Sequence, residues 1–405
     1  MENVRRFIIE NIDNTTKNNK ANEGDETLLP LPYPFTTPCV SGTFQETYYW
    51  DTYFTQKALF LSGREKQAEN NVRNFAYLLE KYGKIPNGNR TWYLRNSQPP
   101  FFGLMLLDML IHAPQSISLL EAFSWLKKEY DFWMTKRIAP NGLNAYNIDT
   151  EDFADEGTFA WYKSRTGITL EQTAENCRCI YSECESGWDF SPRFHNRCIY
   201  HNPVDLNCLL YLDEQLLGEW ALKLGLEKES EYYFENAQNR KSKILLLMKT
   251  KEGYFDYDYV KDNSSDVLSC AALFPFAVGL DEDNEAFLHI LEKLEKAHGV
   301  VACLNPDGNQ YQWCEPNGWA PLQYIAVVAA NKLGLKAEAK RIAEKYLKAQ
   351  SNIFEKTNRL WEKYNAVTGE LDVVSEYGTP EMLGWSAGVY IAFLYYCESG
   401  YKTLV

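Results

Sequence analysis

Over most of the chain the hydrophobic positions recur at helical spacing. Ala68, Val72, Phe75 and Leu79 fall three or four residues apart, and Gly83 follows as a stop. Ser118 and Glu121 make a capping-box pattern around the start of a run through Leu119, Phe123, Leu126, Tyr130 and Trp133. Asp205 precedes Leu209, Leu212, Leu216 and Trp220, with Gly225 behind them. Residues 319–333 and 335–350 read as two helices joined by a tight turn at Gly334. Residues 101–111 and 382–396 are apolar on nearly every face, as helices are when neighbours cover them all round. Convincing alternating strands are scarce. Many helices, the inner ones apolar throughout and joined by long aromatic loops, predict a toroid of helical hairpins; an ordinary pair of helical domains is the alternative.

The beginning of the chain breaks this pattern. Residues 12–29 are polar and predict an exposed arm or irregular start, after which Pro30, Pro32, Pro34 and Pro38 impose an extended entry. The expected division is an N-terminal arm over 1–34 and one helical domain over 35–405.

Composition narrows the partners. The 405 residues are 45% hydrophobic and 15% aromatic, enough for one large core. A net charge of −14 repels phosphate backbones and anionic lipid, so neither nucleic acid nor membrane is expected as a partner, while a neutral ligand is admissible. No run reaches the roughly 18 apolar residues of a membrane-spanning helix, and the opening residues carry too short an apolar run for a signal peptide. Ten cysteines are dilute in this length, which with the preceding point predicts reduced thiols and a cytoplasmic protein. Oligomeric state is left open.

Several chemistries find no support. Cys177, Cys179 and Cys184 lack a second pair of zinc ligands, and Asp256-Tyr-Asp258 and Asp281-Glu-Asp283 lack the glycine and closing glutamate of a calcium loop, so no metal and no cofactor is expected. Glycine-rich nucleotide-binding patterns are absent, and no Gly-x-Ser-x-Gly accompanies His195 and His201.

The informative chemistry is acidic and aromatic. In Glu183-Cys-Glu-Ser-Gly-Trp-Asp-Phe-Ser-Pro-Arg193, Asp189 lies between Trp188 and Phe190. Apolar neighbours disfavour the charged form and raise a carboxyl pKa, which suits a general acid; a helix cap or structural hydrogen-bonder is the competing role. A second acidic cluster runs from Trp361-Glu-Lys-Tyr-Asn365 through Gly369-Glu370 to Ser375-Glu-Tyr-Gly378, where Glu362 is either a partner to Asp189 or one member of a solvated charge pair. Glycoside hydrolysis needs two carboxylates, one to protonate the leaving oxygen and one to activate water or attack the sugar. Three segments mix aromatic and polar groups: Phe44-Gln-Glu-Thr-Tyr-Tyr-Trp-Asp51, Ile85-Pro-Asn-Gly-Asn-Arg-Thr-Trp-Tyr-Leu94 and Gln312-Trp-Cys-Glu-Pro-Asn-Gly-Trp-Ala-Pro321. A sugar ring has an apolar face to stack on rings such as Phe44, Trp313 and Trp319, and a rim of hydroxyls for Asp, Asn and Gln. Together with the two acidic clusters they predict a carbohydrate site.

At these residues the chain resembles the α,α-trehalases of glycoside hydrolase family 37, from about residue 35 to 396. Phe44-Gln-Glu-Thr-Tyr-Tyr-Trp-Asp-Thr-Tyr53 is similar to the first trehalase signature and Gln312 to Pro321 to the second. The resemblance implies an all-α (α/α)6 toroid whose loops close a pocket, and an inverting cleavage of an α-glucosidic bond in α,α-trehalose or a related α-glucoside. It makes Asp189 the proton donor and Glu362 the base that activates water. It puts Trp50, Asp51, Asn87, Gln98 and Gly187 on sugar-contacting positions, and Glu376 on a loop that covers the pocket.

The sequence departs from the family at identifiable places. Thr43 and Asn96 stand where the family has arginines, with Arg95 one place before the second, and no counterpart of a third arginine is found upstream of Asp189. Cys314 replaces an aspartate, and Leu371-Asp-Val-Val-Ser375 replaces a glycine-rich run. A pocket without those guanidinium groups is expected to hold a second glucose loosely and to prefer another α-glucoside over trehalose. The alternatives are a hydrolase of a different glucosyl conjugate on the same barrel and a non-catalytic sugar-binding relative.

Overall fold

The computed structural model describes residues 1–18, 25–148, 155–306 and 308–400. Fourteen α-helices are found among them: α1 Glu2–Asn11, α2 Tyr49–Leu61, α3 Glu65–Tyr82, α4 Phe102–His112, α5 Leu119–Lys136, α6 Glu156–Thr166, α7 Ala174–Glu185, α8 Val204–Lys223, α9 Glu227–Leu247, α10 Phe274–Ala277, α11 Asn284–Leu294, α12 Ala320–Lys332, α13 Lys336–Thr357 and α14 Gly384–Glu398. The local signals operate as expected. Gly83 ends α3 in the left-handed region at φ 72°, and Ser118 and Glu121 form both halves of the capping box on α5. Asp205 lies inside α8, whose cap is Pro203, because its carboxylate accepts from Arg193.

Six helices close an inner ring: α2 touches α4, α4 touches α8, α8 touches α10, α10 touches α12, α12 touches α14, and α14 returns to α2. The outer helices α3, α5, α9, α11 and α13 each follow an inner element, and α1 takes the place outside α14. This is the (α/α)6 barrel. Its inner members are apolar all round because ring neighbours and the outer layer cover every face. Gly388 shows how tightly the ring closes: a Cβ there would meet the Phe54 carbonyl oxygen of α2 at 1.9 Å.

One hydrophobic core runs through the barrel from Val4, Ile8 and Ile12 at the start of the chain to Tyr396 near its end. Of the polar stretch 12–29, residues 19–24 lie outside the described residues. A smaller cluster around Phe159, Tyr162, Ile180, Phe190, Cys303 and Cys314 anchors α6 and α7, which are inserted between α5 and α8. Short strands Asn317–Trp319 and Lys363–Asn365 pair antiparallel, setting Trp319 opposite Lys363. That pairing carries the third aromatic segment to the second acidic cluster.

Candidate active site

The first turn of α2 supplies Trp50 and Asp51. Its start is fixed by Gln98, whose side-chain oxygen accepts the Trp50 N–H at 3.1 Å. Asn87 is tied to the end of α7 by donating to the Cys184 carbonyl at 3.4 Å. There the chain turns at Gly187, φ +75°, where a Cβ would lie 3.1 Å from the Trp50 ring and 3.3 Å from Pro99. Both the positive φ and the close ring restrict this position to glycine. The turn carries Asp189, and Glu183 clasps it from behind by accepting the Ser191 N–H at 2.8 Å.

Two further segments meet this turn. Gln312 donates to the Asp189 carbonyl at 2.8 Å, and the Phe190 N–H donates to the Glu376 carboxyl at 2.9 Å. Glu362 sits between Lys363, whose Nζ is 2.5 Å from one carboxylate oxygen, and Tyr377, whose hydroxyl donates to the other at 2.8 Å. Trp385 Nε1 holds the Glu362 carbonyl at 2.9 Å. Behind them stands a tryptophan stack, with Trp313 flat on Trp319 at 3.8 Å and 2°, and Trp188 on Trp313 at 5.5 Å.

These groups enclose one cavity of about 650 Å³. Phe44, Trp50, Asp51, Asn87, Gln98, Gly187, Asp189, Trp313, Trp319, Glu362 and Glu376, far apart in sequence, all line it. The volume suits a small organic ligand enclosed by aromatic walls with a few convergent polar groups. Burial pushes the Asp189 carboxyl up to about 7, aided by the negative charge of Glu362 and opposed by Arg165 and Lys363. Burial also raises Glu376 to about 9 and Asp51 well above the usual carboxylate range. Burial thus biases Asp189, Asp51 and Glu376 towards their protonated forms, and a carboxyl so biased suits a general acid. No group of three or more His, Cys, Asp or Glu side chains among the described residues is arranged to hold a metal ion.

Trp92, Tyr93 and Tyr377, which lie in segments singled out in the sequence but were not named as site residues, face the cavity, and so do Trp161, Tyr181 and Trp385, which sequence reasoning missed. So do Arg95 and Arg165, which corrects the expectation of a pocket poor in guanidinium groups. Arg165 comes from the last turn of α6 and lies upstream of Asp189, where no arginine was expected to serve the site. The argument for a loosely held second sugar loses its premise. Arg165 was not findable from its surroundings in sequence, because nothing in Trp161-Tyr-Lys-Ser-Arg-Thr166 distinguishes it from a solvated basic residue. Cys314 is buried behind Trp313, beside Cys303, which donates to the Trp313 carbonyl at 2.8 Å.

The sequence model of the trehalase family matches residues 3–398. A periplasmic trehalase of Xanthomonas oryzae pv. oryzae is 34% identical over 398 residues, covering 91% of this chain and 68% of that protein. A periplasmic trehalase of Pseudomonas aeruginosa is 32% identical over 396 residues, covering 91% and 72%. The neutral trehalase of Saccharomyces cerevisiae superposes with a TM-score of 0.78 at 27% identity, over 91% of this chain and 74% of that one. The bacterial relatives overturn the cytoplasmic expectation, since both are named periplasmic. The cysteine argument behind it was weak for a physical reason: none of the ten cysteines is in a disulfide, and eight of them are buried, so burial accounts for their reduced state without any appeal to compartment. No helix among the described residues is long and apolar enough to cross a membrane. On the family match over nearly its whole length and on these relatives, the chain belongs to the trehalase family, glycoside hydrolase family 37, and is a glycosidase.

Proposed function

We propose that this glycosidase hydrolyses α,α-trehalose with inversion, Asp189 acting as general acid and Glu362 as general base. In this reading the Asp189 proton passes to the glycosidic oxygen as the C1–O bond breaks. Glu362 takes a proton from a water that attacks C1 from the opposite face, giving one β-glucose from the attacked ring and one α-glucose from the leaving ring. Proton exchange with solvent then resets both carboxyls. The observation that carries the reading is the pairing inside one cavity. Burial raises Asp189 to about 7, while Glu362 has Lys363 against one oxygen and Tyr377 against the other.

Trp50, Asp51, Asn87, Gln98 and Gly187 would hold the attacked glucose, with Phe44, Trp313 and Trp319 as aromatic walls and Glu376 on the covering loop. The catalytic unit is taken as 35–405; the described part of 1–34 is packed against it, its first helix bracing α14 and its Val4, Ile8, Ile12, Leu29 and Leu31 joining the same core. We take its site of action to be the periplasm, a reading that the relatives' names support. Rapid NMR of purified protein with trehalose tests the proposal. Equal amounts of α- and β-glucose should appear before mutarotation equilibrates them. Only α-glucose at first would mean a covalent nucleophile and retention, and absence of turnover would remove trehalose as substrate.

A further inference from the structure

The positions that the family resemblance assigns to arginine hold Thr43 and Asn96, and both line the cavity. Positive charge reaches the cavity from Arg95, which lies over the Tyr181 ring, and from Arg165 on α6. Arg165 Nη1 donates to the Glu376 carbonyl at 3.0 Å, and its guanidinium lies 4.9 Å over the Tyr377 ring and 5.9 Å from the Trp161 ring. A guanidinium carries five N–H donors in one plane. One goes to the Glu376 carbonyl, and no other described residue accepts a hydrogen bond from Arg165. Ring contacts at its faces fix the plane and leave the edge donors for a ligand.

The position along the cavity matters as well. A sugar ring undergoing cleavage becomes cationic, so a fixed positive charge beside it opposes the reaction, whereas the leaving sugar gains electron density and tolerates a cation. Arg165 lies close enough to Asp189 for its charge to lower that carboxyl. Asp189, as the acid, marks the leaving side. Asp51, raised by burial, also feels the charges of Glu362 and Asp189.

We propose that Arg165 is a specificity-determining residue whose free N–H groups hold the hydroxyls of the leaving glucose, supplying from α6 what Thr43 and Asn96 cannot reach to supply. The inference rests on the trehalose reading above. It also gives Arg165 a second effect, since its charge sets how readily Asp189 keeps a proton.

The test compares Arg165→Met and Arg165→Lys with the unaltered full chain on trehalose and on α-glucosyl fluoride. Fluoride needs no protonation and has no hydroxyls to hold. Arg165→Met should lose roughly 10–100-fold in kcat/KM on trehalose, mostly through KM, and persistently at pH 5.5 where Asp189 is protonated either way. On the fluoride it should stay within about threefold, which also shows that the variant folds. The high-pH limb on trehalose should move upward in Arg165→Met, and Arg165→Lys should recover part of the loss. Equal loss on both substrates would mean that Arg165 only positions the Glu376 loop, and would overturn the inference. Unchanged trehalose kinetics would do the same. An unaltered enzyme that hydrolyses the fluoride but not trehalose overturns the trehalose reading itself, and this inference with it.

Discussion

The two walls of the cavity are built in different ways. On one side stand Trp50 at 2% exposure, Gln98 at 6%, Trp319 at 0%, Glu362 at 1% and Trp385 at 4%. They ride on or beside the first turns of the inner helices α2 and α14 and on the paired strands that follow the ring. On the other side stand Thr43 and Trp92, both exposed, and Arg95, Trp161, Arg165 and Tyr181, all half-buried. These belong to loops, to the 3₁₀ turn Thr91–Arg95 and to the inserted helices α6 and α7. The first wall inherits its geometry from close packing, so a shift there must move the barrel. The second wall is free to change while the barrel stays fixed, which is where a choice of leaving group is most cheaply altered.

The sharpest way to break this contrast is to remove a proposed catalytic carboxyl. Asp189→Asn keeps the shape and loses the proton, so kcat on trehalose should fall on the order of 10²–10⁴-fold. Glu362→Gln should fall comparably on trehalose. On α-glucosyl fluoride the two should part, Asp189→Asn being largely spared and Glu362→Gln not, because fluoride leaves unaided while water still needs a base. Near-normal trehalose turnover by Asp189→Asn would remove the assignment.

The next largest effect lies behind the fixed wall. Arg137 makes a two-pronged ion pair with Glu185 at 2.8 and 2.9 Å, both side chains fully buried, and Glu185 also accepts the Ser97 N–H at 2.7 Å. Ser97 adjoins Gln98, so this pair supports the segment that caps α2. Arg137→Ala leaves a buried carboxylate without its counter-charge and should cost about 3–5 kcal/mol in urea unfolding. A loss under about 1 kcal/mol would mean that the wall does not depend on the pair.

How far sequence could see divides along the same line. The helices were legible because Ala68 to Leu79 and Ser118 to Trp133 carry their own periodicity and caps. The first wall was legible because Trp50, Asp51, Gln98 and Trp319 sit in compact motifs. The second wall was not, since Trp161, Arg165 and Tyr181 are separate residues on polar helices whose placement depends on how α6 and α7 dock. The exchange at Asn96 was visible in sequence; the guanidinium supplied from α6 became visible only in three dimensions. Compartment was misread for a similar reason, because dilute cysteines look alike whether burial or a reducing environment keeps them apart.

A smaller effect concerns pH. With Asp189 at about 7, kcat/KM on trehalose should fall above neutrality, approaching tenfold per pH unit. Stability has a matching sign. Asp189, Glu183 and Glu376 are raised by burial to about 7, 8 and 9 from ordinary values of 3.8, 4.5 and 4.5, so the folded state binds more protons than the unfolded one across that window. Their contribution is complete below about pH 4 and is lost as pH rises towards 9. The melting temperature should decline over this range, and Glu376→Gln should flatten part of the slope. A flat profile in the unaltered protein would contradict the upward shift of these carboxyls.

The smallest effect is the most discriminating for the two walls. Trp92 is 49% exposed, on the 3₁₀ turn at the cavity's edge, with Arg90 5.2 Å over its ring. Although it lines the same cavity as Trp319, little of the fold rests on it. Trp92→Ala should change unfolding free energy by no more than about 0.5 kcal/mol, as surface substitutions do. Its kinetic effect should be below about threefold on trehalose and should lie in KM, because a ring at the rim touches the leaving sugar equally in ground and transition states. On α-glucosyl fluoride it should have none. A tenfold loss in kcat on both substrates would mean that the exposed wall shares in fixing the reacting ring. The division of labour between a rigid chemical wall and an adaptable selective wall would then fail at its weakest point.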